Sequence, residues 1–137
     1  MSEDDVQRIL AFDDTLIGSD GLPHDAVPHP RLWGSFPRVL GYYVRQLNLF
    51  SLEEAIHKMT GLSASKYALR DRGFIRAGAY ADLVLFDPQT IDARADFNEP
   101  IAPSVGIKWV MVNGKKVWLD GQPTTHRPGK VLQRHAA

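Results

Sequence analysis

The hydrophobic positions in the first part of the chain follow the spacing of a helix and then of a strand. Val6, Ile9 and Leu10 share one helical face. Ser2 is placed to cap that helix, which we expect to end near residues 12–14. The apolar run 15–18 is too short for a helix and predicts a buried strand.

Three more helical segments follow a loop at residues 20–30. Pro37 suits the first turn of a helix that runs to Leu47, because its missing N–H is not needed there. Ser51 and Glu54 form a capping box at the start of the next helix. Gly61 is placed to end that helix, and a short helix is expected over 62–68.

The second half of the chain has the pattern of a β-structure. Residues 81–88 predict a strand that stops at Pro88, and residues 107–118 predict a hairpin with an Asn113-Gly114 turn. Residues 123–137 contain few apolar anchors and are expected to lie along the surface or to fray. The isolated chain is therefore predicted to be an α+β protein, with a helical part at 1–68 and a β part at 69–137.

The strand predicted at 15–18 has no possible partner in the helical part. A buried strand without a neighbouring strand leaves its backbone hydrogen-bonding groups unsatisfied. We therefore expect the other strands of its sheet to lie outside this chain.

Composition excludes several classes of protein. The 137 residues include 16 basic and 16 acidic side chains, so no positive surface for nucleic acid or anionic membranes is expected. No apolar run approaches the ~18 residues of a membrane span, and the acidic N-terminal segment does not resemble a signal peptide. The absence of cysteine excludes disulfides and thiolate-bound zinc within this chain and is compatible with a cytoplasmic protein.

Asp20 follows the predicted strand and is the first candidate for chemistry. Carboxylates at the ends of strands are common catalytic groups in α/β enzymes. An aspartate before Gly21 also has an ordinary role, which is to bind its own backbone in a turn. His24 and His29 lie in the same loop, but their spacing fits neither helical nor strand ligand pairs. We expect them to pack or hydrogen-bond within the loop instead of binding a metal.

A set of motifs runs in order along nearly the whole chain. The matching segments are 17–21, 29–31, 36–41, 52–55, 58–60, 71–73, 78–87, 112–114 and 127–132. Together they resemble the C-terminal end of the N-acyl-D-amino-acid deacylases, or D-aminoacylases, of the amidohydrolase superfamily. The Ser-Asp-Gly loop followed by His-Pro-Arg is what narrows the resemblance to this branch.

The resemblance implies a metal-dependent (β/α)8 barrel followed by a small β-sandwich. Residues 1–68 would be the end of the barrel, with strand eight at about 15–19, and residues 69–137 would be a portion of the sandwich. Asp20 would then lie at the face where such barrels have their active sites. The family's His-x-His motif and ligand cysteine are absent here. We therefore expect a C-terminal fragment that is inactive by itself.

The resemblance also implies roles for individual residues. Asp20 would act as general base toward a zinc-bound water, and it touches the metal in some family members. Arg31 would bind the α-carboxylate of an N-acyl-D-amino acid, although a surface arginine at a helix start is the ordinary alternative. Trp33 is a candidate for lining the acyl pocket. Zinc is the implied cofactor of the complete enzyme, and neutral D-amino acids are the default products, with D-glutamate and D-aspartate as alternatives.

A different class of function is also open. The chain would then be a non-catalytic module that associates with a separately encoded barrel or with a second copy of itself. Such a module exposes apolar faces that its partner covers.

Overall fold

A computed structural model of the chain describes residues 2–22 and 24–133 and combines helices with an antiparallel sheet. The helical elements are α1 (Glu3–Ala11), α2 (Arg31–Arg38), a π-helix (Val39–Gln46), α3 (Leu52–Met59) and α4 (Gly61–Lys66). The strands are β1 (Leu83–Phe86), β2 (Ile107–Val112), β3 (Lys115–Leu119) and β4 (Gln122–Pro123). The predicted α+β character, with helices first and strands second, is confirmed.

Side-chain caps start two of the helices at the predicted residues. The Ser2 hydroxyl accepts the backbone N–H of Asp5 at 3.2 Å at the start of α1. The Ser51 hydroxyl accepts the N–H of Glu54 at 3.1 Å at the start of α3. Each bond satisfies one of the backbone donors that a helix N-terminus leaves without a partner.

The helix predicted to begin at Pro37 begins at Arg31 instead, so this prediction was wrong. Pro37 lies inside α2, which continues directly into the π-helix. Since proline has no N–H, the carbonyl of Trp33 loses its usual helical donor. The Ser104 hydroxyl donates to that carbonyl at 3.2 Å. This tertiary hydrogen bond compensates for the helical donor that Pro37 removes, although the local sequence alone disfavours a helix through Pro37.

The prediction that Gly61 ends a helix was also wrong. α3 ends at Met59, and Gly61 is the first residue of α4. A Cβ atom at Gly61 would lie only 2.7 Å from the ring of Phe74. This glycine therefore allows close packing and does not serve as a helix cap.

The sheet has the order β1-β2-β3-β4, with all neighbours antiparallel. Asn113 (φ 46°) and Gly114 (φ 77°) connect β2 to β3 with two left-handed residues, so the predicted hairpin is confirmed. Within the described residues, no strand pairs with the second edge of β1. The opposite edge is β4, where Pro123 limits further pairing.

Residues 15–18 form no strand in this chain. Ile17 is half-buried and packs against the core cluster. A strand requires a neighbour to form a ladder, and the described four-stranded sheet does not include this segment. Its role as a barrel strand stays a prediction about a longer fold.

The core joins the helical part to the β part. Its buried members are Val39, Leu40, Tyr43, Ala55 and Ile91. The first three belong to the π-helix, whereas Ile91 follows β1. Burial, together with the carboxylate of Glu3, raises the pKa of Tyr43 above its usual value.

Arg45 and Gly41 hold the π-helix against the segment after β1. The Arg45 guanidinium donates to the carbonyls of Ile91 (2.6 Å) and Pro88 (3.3 Å) and to the Asp92 carboxylate at 3.2 Å. A Cβ atom at Gly41 would lie 2.6 Å from Oδ1 of Asp92 and 2.8 Å from the carbonyl of Ile91. Only glycine therefore permits this approach.

A second network ties the sheet to the C-terminal segment. The Arg72 guanidinium pairs with the Asp82 carboxylate and donates to Oδ1 of Asn113 at 2.7 Å. The Asp82 carboxylate also accepts the N–H of Asn113 at 2.8 Å, and the Asn113 amide donates to the carbonyl of Pro128 at 2.8 Å. This network gives a structural reason for the matching segments 78–87 and 112–114, which contain Asp82 and Asn113. Of the segment predicted to lie along the surface, residues 134–137 are outside the described residues.

We predict that Gly41→Ala destabilises the chain. Alanine favours a helix over glycine by about 1 kcal/mol, but the added methyl group would overlap backbone and carboxylate atoms after β1. Overpacking of this kind costs about 1–3 kcal/mol, so we expect a net decrease in the free energy of unfolding, measured by urea denaturation. Gly129→Ala is the matched control, because no atom lies within 4 Å of its added Cβ. A Gly41→Ala variant as stable as the control would contradict the close-approach argument.

Candidate functional site

Asp20 and Arg31, the two residues that the sequence put forward for chemistry, are in direct contact. A terminal guanidinium nitrogen of Arg31 lies 2.6 Å from the Asp20 carboxylate. Nε of Arg31 also donates to the backbone carbonyl of Asp20 at 3.0 Å. The two side chains are 74% and 50% exposed, respectively, so the pair is open to solvent.

The segment that leads into this site is held at two points. The Lys58 ammonium group donates to the carbonyls of Phe12 (2.5 Å) and Asp13 (3.3 Å) at the C-terminal end of α1. Lys66 lies 2.8 Å from the Asp14 carboxylate, and this hydrogen bond and charge lower the pKa of Asp14. These contacts fix where the chain leaves α1.

Lys58 was not identified as important from the sequence, yet it is only 1% exposed. Its burial is stable because its ammonium group has carbonyl partners and lies 3.8 Å from the Glu54 carboxylate. A signal was present: Lys58 follows the buried Ala55 by three residues and therefore lies on the core-facing side of α3.

Arg31 is placed by the start of α2. It is the first residue of that helix, and its backbone N–H donates to Nδ1 of His29 at 3.1 Å. His29 therefore hydrogen-bonds within the loop, as its spacing predicted. Trp33 is partly exposed on the same helix, and its proposed place in an acyl pocket stays a prediction.

The described residues do not form a zinc site. Within residues 2–22 and 24–133, no group of three or more histidine, cysteine or acidic side chains could hold a metal ion. Tetrahedral zinc sites use three or four protein ligands, whereas Asp20 has an arginine as its partner. A single carboxylate does not fit zinc without ligands from elsewhere.

A surface groove of about 660 Å³ lies on α1, away from the candidate site. Its lining residues are Asp5, Arg8, Ile9, Phe12 and Thr15. Neither Asp20 nor Arg31 contributes to it. Its apolar side chains, Ile9 and Phe12, are suited to contact with another polypeptide.

The arrangement of Asp20 and Arg31 has a definite chemical capacity. A carboxylate open to solvent can accept a proton from water or donate one to a leaving group. A guanidinium can bind a planar carboxylate through two parallel hydrogen bonds. Because the two groups touch, a ligand carboxylate bound to Arg31 would place its neighbouring atoms beside Asp20.

The chain belongs to the amidohydrolase family, whose pattern matches residues 4–124. A D-aminoacylase from Alcaligenes xylosoxydans xylosoxydans is 57% identical over 137 residues, which is 100% of this chain and 28% of the relative. The resemblance to D-aminoacylases that the sequence motifs indicated is therefore confirmed. The chain spans about 28% of the length of this relative.

Solved structures of two related enzymes superpose closely on the chain. An aspartate-to-alanine mutant of D-aminoacylase in complex with CuCl2 gives a TM-score of 0.96 at 57% identity, covering 98% of this chain and 28% of that one. The N-acyl-D-glutamate deacylase of Bordetella bronchiseptica was solved with zinc and a phosphonate mimic of the tetrahedral intermediate. It gives a TM-score of 0.92 at 51% identity over the same shares of the two chains.

The helices were compared in length and hydropathy with membrane-spanning segments. Among the described residues, none of the helices combines the length and apolar character that crossing a bilayer requires.

We predict that Asp20→Asn leaves the stability of the chain nearly unchanged. An exposed ion pair contributes about 0–1 kcal/mol, and the backbone carbonyl of residue 20 still accepts from Nε of Arg31 in the variant. Thermal and urea unfolding of the variant and the parent chain measure the difference. A loss well above 1 kcal/mol would mean that Asp20 is a structural residue and would weaken its assignment to chemistry.

Proposed function

We propose that this chain provides the general base and the substrate-carboxylate site of an N-acyl-D-amino-acid deacylase. The reaction is hydrolysis of the N-acyl amide to a carboxylate and a free D-amino acid. The observation that supports it most is the 2.6 Å contact between Asp20 and Arg31. That contact places a proton acceptor, the Asp20 carboxylate, next to a carboxylate-binding group, the Arg31 guanidinium.

Arg31 binds the α-carboxylate of the substrate in this proposal. Its guanidinium presents several donors in a plane, and Nε already spends one on the Asp20 carbonyl. One terminal nitrogen also contacts the Asp20 carboxylate, and the remaining N–H groups of the two terminal nitrogens bind the substrate carboxylate, beside its α-carbon and amide. Fixing the carboxylate and the amide together restricts which stereoisomer fits.

Asp20 moves the protons of the reaction. Its carboxylate oxygen accepts a proton from the attacking water and returns it to the amide nitrogen as the carbon–nitrogen bond breaks. The carboxylate is mostly exposed in this chain, so it has room to approach both water and substrate.

Zinc belongs to the complete enzyme in this proposal, with ligands from outside the described residues. The support is that the related N-acyl-D-glutamate deacylase was solved with zinc. We place residues 1–68 at the end of a (β/α)8 barrel and residues 69–137 in a β-sandwich. Because one carboxylate cannot hold the metal, we expect the chain alone to be inactive.

The preferred substrates in this proposal carry neutral D-amino acids. The support is the higher identity to a D-aminoacylase, 57%, than to the N-acyl-D-glutamate deacylase, 51%. Acidic D-amino acids are the alternative.

The exposed apolar surface favours a second role, association with further polypeptide. Phe12 is 64% exposed and Ile9 is half exposed beside the groove on α1. Val84 and Leu85 are also about half exposed on β1, whose outer edge has no strand partner among the described residues. Edge strands of this kind pair readily with another strand, so the chain is suited to binding a barrel or a second copy of itself.

We predict that the chain supports deacylase activity when it replaces the matching segment of the 57%-identical D-aminoacylase. In that exchanged enzyme, Asp20→Asn should lower kcat by about 10²- to 10⁴-fold, because the proton acceptor is lost. Arg31→Met should raise KM by about tenfold to a hundredfold, because charged hydrogen bonds contribute about 1.5–3 kcal/mol. Hydrolysis of N-acetyl-D-methionine measures both.

The 137-residue chain alone, assayed with added zinc, is the negative control. An inactive exchanged enzyme that folds normally would contradict the proposed function. Full activity of the Asp20→Asn variant would contradict the role of Asp20 as general base. Robust turnover by the isolated chain would overturn the expectation that metal ligands lie elsewhere.

We also predict that the isolated chain self-associates through β1. Light scattering coupled to size-exclusion chromatography should give a mass above 15.3 kDa that falls to the monomer value in Val84→Lys, because a charge on an edge strand opposes pairing. Val131→Lys is the matched control, since Val131 is 95% exposed in the C-terminal segment. A monomeric parent chain would exclude pairing of two copies.

A further inference from the structure

Residues 92–105 form a loop that is fixed at its base and at its tip, and we call it the 92–105 loop. Asp92 and Val105 pair as an antiparallel bridge, with N–H to carbonyl distances of 3.3 and 3.0 Å. At the tip, the Asp96 carboxylate accepts the backbone N–H groups of Asn98 and Glu99, each at 2.7 Å. The loop is therefore a defined structure that can position what it touches.

The loop contacts the beginning of α2 at two places through its sides. A Cβ atom at Gly34 would lie 3.0 Å from Cβ of Ala93, so the two backbones approach closely there. The Ser104 hydroxyl donates to the carbonyl of Trp33 at 3.2 Å. This is the carbonyl that Pro37 leaves without a helical donor. Both contacts lie within three residues of Arg31.

The tip provides the third contact, between Phe97 and His29. The two rings meet edge to face, with centroids 5.1 Å apart and planes at 75°. Nδ1 of His29 accepts the backbone N–H of Arg31 at 3.1 Å. A neutral imidazole that accepts at Nδ1 carries its proton on Nε2. One ring thus connects the loop to the residue that we assign to substrate binding.

His29 fills a role at the helix start that no other side chain fills in the described residues. Pro30 occupies the N-cap position of α2 and makes no side-chain capping bond. The N–H of Arg31 is one of the donors that a helix start leaves without a partner. Nδ1 of His29 satisfies it, as the oxygen of a serine or aspartate cap ordinarily does.

Phe97 contributes little to the core, and its ring pairs with the ring of His29. Its side chain is 78% exposed, so little apolar area is removed from water there. An edge-to-face ring pair, in contrast, has a preferred geometry and orients the partner ring.

We propose that His29, held by Phe97 of the 92–105 loop, is a positioning residue that sets Arg31 for the substrate carboxylate. The proposal rests on the proposed function of Arg31. The β part of the chain then influences substrate binding indirectly, because Phe97 contacts the ring of His29 and His29 accepts the N–H of Arg31.

The first test uses the 137-residue chain labelled with ¹⁵N, at alkaline pH where histidine rings are neutral. NMR should show His29 as the Nε2–H tautomer. Hydrogen exchange of the Arg31 amide should be about threefold to tenfold faster in His29→Ala than in the parent chain, because one hydrogen bond is lost. His29→Asn should restore slow exchange, since the asparagine oxygen can accept at the place of Nδ1. Phe97→Ala should show a smaller increase, and Phe97→Tyr none.

His24→Ala is the matched control in the same loop, and it should leave the exchange of the Arg31 amide unchanged. An Nδ1–H tautomer of His29, or unchanged exchange in His29→Ala, would overturn the proposal. Equal acceleration in His24→Ala and His29→Ala would also overturn it, because general loosening of the loop would then explain the result.

The second test measures kinetics in the exchanged D-aminoacylase described above. His29→Ala should raise KM about twofold to tenfold with kcat nearly unchanged, and His29→Asn should restore KM. The rise should disappear in an Arg31→Met background, because His29 acts only through Arg31. A persistent rise there would overturn the proposal. If the exchanged enzyme is inactive, the proposed function fails, and amide exchange in the chain still decides whether His29 holds Arg31.

Discussion

The close approach of the π-helix to the segment after β1 is the constraint on which the rest of the structure depends. The Arg45 guanidinium satisfies two carbonyls and the Asp92 carboxylate, and Gly41 leaves room for the backbone at Ile91. Ile91 is then buried among residues of the π-helix. The contact joins residues more than 40 positions apart, so it determines how the helical part and the sheet meet.

The candidate site depends on the same contact. Asp92, which Arg45 holds, is also the base of the 92–105 loop. Once this base is fixed, the sides and tip of the loop reach α2 near His29 and Trp33. The site thus combines local contacts around Arg31 with the long-range contact between Arg45 and Asp92, which holds the base of the 92–105 loop.

The sequence predicted features that depend on local chemistry and missed those that depend on tertiary contact. Ser2, Ser51 and the Asn113-Gly114 turn act within a few residues, where hydrogen-bonding geometry is set by the chain itself. The start of α2 was misplaced because a proline inside a helix is unfavourable locally, and the carbonyl that it leaves without a donor is satisfied by Ser104, which is distant in sequence. The motifs predicted both Asp20 and Arg31, but only the fold shows their contact and the hydrogen bond from the Arg31 N–H to His29.

Local backbone hydrogen bonds, more than the exposed ion pair, determine the geometry of the site in this chain, which spans 28% of the length of its D-aminoacylase relative. An ion pair whose side chains are 74% and 50% exposed contributes too little to organise a loop. The orientation of Arg31 comes instead from the backbone, through Nδ1 of His29 on its N–H and the Asp20 carbonyl on its Nε. Such bonds do not require the rest of a barrel.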